Sequence, residues 1–257
     1  MTFPGWFQYE SYLLVIVRIT ALLAVAPVFG DRRIPAVIKI GVGIILGFVV
    51  ISVMDFSPSA FHTLPAFALA AGREAMIGVT VGFVANLLFM GIQFSGQFVS
   101  LQMGFGAAQL FDPSTDNSVP VIGEFYYIIS ILLYLILGGY RFLIEALQST
   151  FKSIPLAGFT MHNQFFAYLT RLSSDVFIIA MKIAAPIFIT ILLTEIALGL
   201  IARLVPQMNI FIFGFPLKIL AGILMIAISM PIFGRVFETI LHQSQTNIYE
   251  IIQLIKP

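Results

Sequence analysis

Charged side chains set inside apolar stretches are the residues of this sequence with most chemistry to do. Arg18, Glu74, Glu124, Lys182 and Glu195 each interrupt a hydrophobic run. An ionised group at the middle of a bilayer costs about 2.5–3.5 kcal/mol or more unless it is paired or hydrated. Two uses fit such residues. One is a polar pathway or a set of ion pairs between subunits; the other is snorkelling from a helix end to the interface. Glu74 and Glu124 suit snorkelling. Arg18, Lys182 and Glu195 lie deeper, and for them subunit pairing and snorkelling both stay open. Lys182 and Glu195 are 13 residues apart, on different faces of one helix, so each needs its own partner.

Enzyme constellations are missing from the sequence. His62, His162 and His242 stand apart from one another and read as solvated residues rather than ligands. Neither GxxxxGK[ST] nor HExxH occurs. With no cysteine there are no disulfides, thiolate metal sites or cysteine nucleophiles. No cofactor or metal is expected, and catalysis is not. A net charge of +1 supplies no basic field for nucleic acid.

The elements carrying these charges must live in an apolar solvent. Of 257 residues 60% are hydrophobic and 10% charged, with mean hydropathy +1.03. Soluble domains are nearer half apolar and a quarter charged. A hydrocarbon core of ~30 Å takes about 20 apolar helical residues. Six runs qualify: 12–29, 36–54, 65–99, 121–147, 176–204 and 217–233. They are separated by turn signals at Asp31–Pro35, Asp55–Pro58, Asp112–Asn117, Lys152–Pro155 and Pro206–Asn209. Ala24-Val25-Ala26 has the look of a cleavage site, but no Lys or Arg precedes it and Arg18 breaks its apolar run, so the segment reads as retained.

A plain six-span bundle meets two obstacles. The third run is about 35 residues, roughly 50 Å of helix, and carries Asn86, Gln93, Ser95, Gln97, Ser100 and Gln102, which lipid would not satisfy. It must kink, fold back, or extend beyond the bilayer within a protein assembly. The cationic loops also disagree. Arg32, Arg33 and Lys39 place the first loop in the cytoplasm, yet Arg141, Lys152 and Arg171 fall in a loop that regular alternation puts outside. Beyond the sixth run, Phe237, Ile240, Leu241, Ser244, Ile248, Ile251, Ile252 and Ile255 recur at helical spacing, an amphipathic helix expected to lie on another subunit or the bilayer surface. Gly43-xxx-Gly47 and Gly78-xxx-Gly82 permit close helix packing, although 20 glycines make two chance matches ordinary.

Three stretches together resemble the FliR family of flagellar type III export-gate proteins, whose injectisome relatives are the SpaR-type components. The first is Ala26-Pro27-Val28-Phe29-Gly30 leading to Arg33-Ile34-Pro35 and Lys39-Ile40-Gly41; the second is Gly96 to Gly104 followed by Asp112-Pro113. The third, Ala202 to Leu217, is the most specific and includes Arg203, Pro206, Gln207, Asn209, Gly214 and Pro216.

The resemblance implies an all-α fold of hydrophobic, kinked helical hairpins, similar to a fusion of FliP-like and FliQ-like units. It implies a FliP-like part over 1–160 and a FliQ-like hairpin with the amphipathic tail over 161–257. One copy would join FliP-like and FliQ-like subunits in a hetero-oligomeric pore that passes unfolded protein substrates, with an FlhB-type switch protein as a further partner. Its place would be the bacterial inner membrane at the centre of the basal body, partly projecting to the periplasmic side. Residues 104–118 resemble the family's plug, with Phe105, Ala107, Leu110, Phe111, Asp112 and Pro113 as candidate gate residues; relatives often carry bulkier aromatics where Ala107 and Leu110 stand. The competing reading is a small-solute transporter. That class favours an internal repeat and broken helices; no repeat is evident, and the break expected at Pro186 has no counterpart in the first half.

Overall fold

Apolar runs bounded by proline and turn residues satisfy their backbone groups internally only as helices. The computed structural model describes residues 6–31, 33–53, 63–105, 121–160, 163–206 and 210–257. Among them every regular element is helical and no strand occurs: α1 (Trp6–Val25), α2 (Ala36–Val53), α3 (Leu64–Gln102), α4 (Val121–Ile136), α5 (Gly139–Ser153), α6 (Asn163–Leu204) and α7 (Ile210–Leu254). By length and composition α2, α3, α6 and α7 can each cross a membrane, and α4 with α5 can form a fifth, broken span. The chain is thus an all-α integral membrane protein.

Several expectations need correction. The first run ends sooner than expected: α1 stops at Val25, and Pro27 and Val28, the latter at φ 67, lie in the turn that follows. The third run does not fold back: α3 is one helix of 39 residues, roughly 58 Å at 1.5 Å per residue. The fourth run is instead interrupted at Leu137-Gly138, where Gly138 takes φ 74, a left-handed conformation that glycine adopts freely. Pro186 breaks nothing, since α6 continues through it for 42 residues, as α7 does through Pro216 and Pro231. A proline in a helix interior costs about 3 kcal/mol, and packing around Pro186, with Ala184 and Ile187 buried, outweighs it.

The amphipathic tail is not a separate helix but the end of α7, and its apolar stripe is covered by this chain. Ile248, Ile251, Ile252 and Ile255 are buried. Thr160 donates its N–H to the Ile255 carbonyl (3.4 Å) and its hydroxyl to that of Lys256 (3.0 Å). Tyr168 donates to Asn247 Oδ1 (3.3 Å), and Tyr249 meets Phe142 edge-on.

Two compact units divide the chain, and both interleave distant stretches. The first takes residues from Met1–Leu87, Gly138–Leu172 and His242–Pro257; the second from Leu88–Leu137 and Ser173–Leu241. In the first unit both small-xxx-small patterns are used. A Cβ on Gly78 would lie 2.3 Å from the Arg18 carbonyl oxygen and one on Gly82 2.7 Å from that of Leu22, so α1 and α3 touch at backbone level. Gly43 and Gly47 of α2 likewise receive Thr20 and Ile16 of α1. In the second unit Gly96 of α3 abuts Gly123 of α4, where a Cβ would come within 2.3 Å of the Gly123 Cα. Phe89 there packs edge-on against Tyr127, Tyr134 and Phe237, an arrangement worth about 0.5–1.5 kcal/mol per pair beyond area burial.

Candidate functional site

Among the described residues, four of the five charges named above, together with Lys218, fall into one closed cluster, one half-open pair and one open cation. Arg18 of α1 and Glu74 of α3 are fully buried and joined side-on: Nε donates to Oε2, and Nη2 donates to Oε1 at 3.1 Å. The remaining donors of Arg18 reach the Ile154 carbonyl (3.4 Å) and Thr150 Oγ1 (3.5 Å), with its guanidinium 4.4 Å above the Phe151 ring. Glu74 Oε1 also accepts the Ala157 N–H at 2.7 Å, and neighbouring Arg73 donates to the Ala157 carbonyl at 3.2 Å. Both polar groups of Ala157, a non-glycine residue at φ 61, are held in this way. The cluster therefore ties α1, α3 and the segment after α5 within the first unit. The snorkelling expected of Glu74 is overturned, because the carboxylate finds its cation 56 residues away in this chain. Arg18 likewise has an intrachain partner. Glu124 lies in the first turn of α4, where the helix dipole favours a carboxylate.

Glu195 of α6 accepts a hydrogen bond from Lys218 of α7 within the second unit, and their side chains are 40% and 19% exposed. Lys218 was not singled out from sequence. The available signal was a lysine one residue past the Ala202–Leu217 motif, at the start of an apolar run. Lys182, in the same unit, is exposed and makes no ion pair or hydrogen bond among the described residues. It borders a notch lined by Tyr126, Pro186, Ser229 and Phe233.

Of the candidate gate residues, Phe105 is half-buried, whereas Ala107, Leu110, Phe111, Asp112 and Pro113 lie outside the described residues. The root of that segment is firmly seated. Met103 is fully buried, against Gly222 of α7, and Gly104, at φ 89, has the Phe215 ring so close that a Cβ would sit 2.5 Å from it. In the Ala202–Leu217 motif, Arg203 is exposed in the last turn of α6, favourable to the dipole there, and Pro206 is exposed beyond it. Gly214 is buried and Pro216 exposed in α7; Gln207 and Asn209 lie outside the described residues. His242 is exposed and shares a hydrogen bond with Gln245.

Long apolar helices braced by internal ion pairs define a helical membrane protein. Residues 9–244 match the family described as bacterial export proteins, family 1. The chain is 32% identical to the flagellar biosynthetic protein FliR of Bacillus subtilis over 250 residues, covering 96% of both chains. It is 29% identical to FliR of Escherichia coli over 239 residues, covering 93% of this chain and 91% of the relative. FliR of Aquifex aeolicus is 29% identical over 222 residues, 86% of each. The chain belongs to the FliR family of bacterial export proteins. It is a membrane-embedded component of the flagellar export apparatus, and its relatives' names describe no enzymatic activity.

Proposed function

We propose that this chain is a core subunit of the flagellar export gate, forming with FliP-like and FliQ-like subunits the pore through which unfolded flagellar proteins leave the cell. One copy joins several partners, with an FlhB-type switch protein beside them. The assembly sits in the inner membrane at the centre of the basal body and projects partly to the periplasmic side. Residues 1–160 act as the FliP-like part, 161–257 as the FliQ-like hairpin, and 104–118 as the plug. The role is structural, without catalysis.

The observation that carries this reading is on α3. Asn86, Gln93, Gln97 and Gln102 make no side-chain hydrogen bond among the described residues, and none is fully buried. Yet α3 is apolar enough to cross a membrane. Amides left in hydrocarbon without partners cost several kcal/mol, so other protein subunits must cover them.

Expression tests this directly. Alone, the chain should aggregate or be degraded; co-expressed FliP-like and FliQ-like subunits should rescue it. A monomer that purifies folded and thermally stable without partners would count against the reading. In cells, a clean deletion should abolish hook and filament while solute uptake stays normal. Deleting Gly106 to Leu110 should leave the complex assembled but leaky to ions; unchanged conductance in an assembled complex would remove the plug assignment.

A further inference from the structure

Lys182 is an exposed ammonium on α6, seven residues beyond Asp175, about 10 Å along the helix and too far for the two to pair. The side chains around it are those of a hydrocarbon or protein interior: Ile178, Met181 and Ile189 on α6 and Ile232 on α7 are each at least half exposed. A lysine left so is costly at membrane depth. It borders a small, partly open notch of about 30 Å³ that also holds Tyr126 of α4 and Ser229 of α7, with Pro186 and Phe233 as apolar walls. Tyr126 and Ser229 are themselves buried.

We propose that this notch receives a carboxylate side chain from a helix of a partner subunit, with Lys182 as its counter-ion. The proposal rests on the reading that the chain works in a hetero-oligomer, and it adds the place and chemistry of one contact. The Lys182 ammonium offers charge-assisted hydrogen bonds to a carboxylate, beside a Ser229 hydroxyl that this chain already holds at the Ile226 carbonyl (3.1 Å). The apolar side chains around the notch give the partner helix a surface to lie on. A lipid phosphate fits less well, because the side chains lining the notch include no second cation to hold it.

The complex is purified with its partners from strains carrying Lys182→Met or Lys182→Arg. Methionine keeps the length and loses the charge, so recovered partner subunits should fall about ten-fold or more, whereas arginine should stay within about two-fold of the parent. A photo-crosslinker at Ile232, on the rim, should join the chain to a partner peptide containing Asp or Glu. Normal recovery with Lys182→Met, or equal loss with both variants, overturns the site. So do crosslinks confined to phospholipid. A parent chain that recovers no partner overturns the hetero-oligomer itself and the contact with it, whereas a parent that assembles while Lys182→Met matches it overturns the contact alone.

Discussion

The Arg18–Glu74 and Lys218–Glu195 pairs both join helices, in different compact units and by different means. In the first unit, pair and hydrogen-bond partners alike are removed from solvent, and every neighbour is supplied by the chain. In the second, the pair keeps 19% and 40% of its side-chain surface open, and Lys182 has no counter-charge among the described residues. A closed charge cluster serves this chain's own fold. An open one leaves polar groups that water or another molecule can meet.

Removing one half of the closed cluster should do the most damage. Arg18→Ala or Glu74→Ala strands a buried charge and should cost about 3–5 kcal/mol, read as loss of protein from the membrane or collapse of the melting temperature of the purified complex. The double change Arg18→Met with Glu74→Leu should be milder than either single one. If the singles melt like the parent, the cluster is not the brace described.

Next comes the helix contact beside it. Gly78→Ala puts a methyl group against the Arg18 carbonyl, a backbone atom that cannot rotate away, at about 1–3 kcal/mol. Gly72→Ala on the same helix meets nothing within 4 Å and should gain about 0.5–1 kcal/mol from helix propensity. Equal melting shifts for the two would remove the close approach of α1 and α3.

The half-open pair should matter least to the isolated fold. Glu195→Ala and Lys218→Ala should each cost about 0–1 kcal/mol once solvent screening is counted. In detergent, raising salt should erase the difference between Glu195→Ala and parent, and leave that between Glu74→Ala and parent intact. A large, salt-independent loss at Glu195 would mean that partner subunits seal this pair as fully as the chain seals the other.

Much of the helical layout was legible because helix formation in an apolar solvent is decided by nearby residues. The run at 36–54 appears almost unchanged as α2, and that at 176–204 ends where α6 does, although α6 begins earlier, at Asn163. Their boundaries were less legible where tertiary packing overrides local signals: Pro186 reads as a break and lies within continuous helix. The interruption at Gly138 was marked only by the Gly138-Gly139 pair, a shorter turn signal than the Asp- and Pro-bearing clusters elsewhere. Gly78 and Gly82 were indistinguishable from chance until α1 was seen against them.

The charges show most clearly where reading the chain ends. Their presence inside apolar runs, the all-α membrane class and the family were determined by the sequence itself, because transfer cost and run length depend on residue type alone. Which charges meet was decided only by the tertiary structure. Arg18 and Glu74 are 56 positions apart and Glu195 and Lys218 are 23, and no spacing rule links residues on different helices. Their pairing follows from how the glycines and apolar faces let those helices approach.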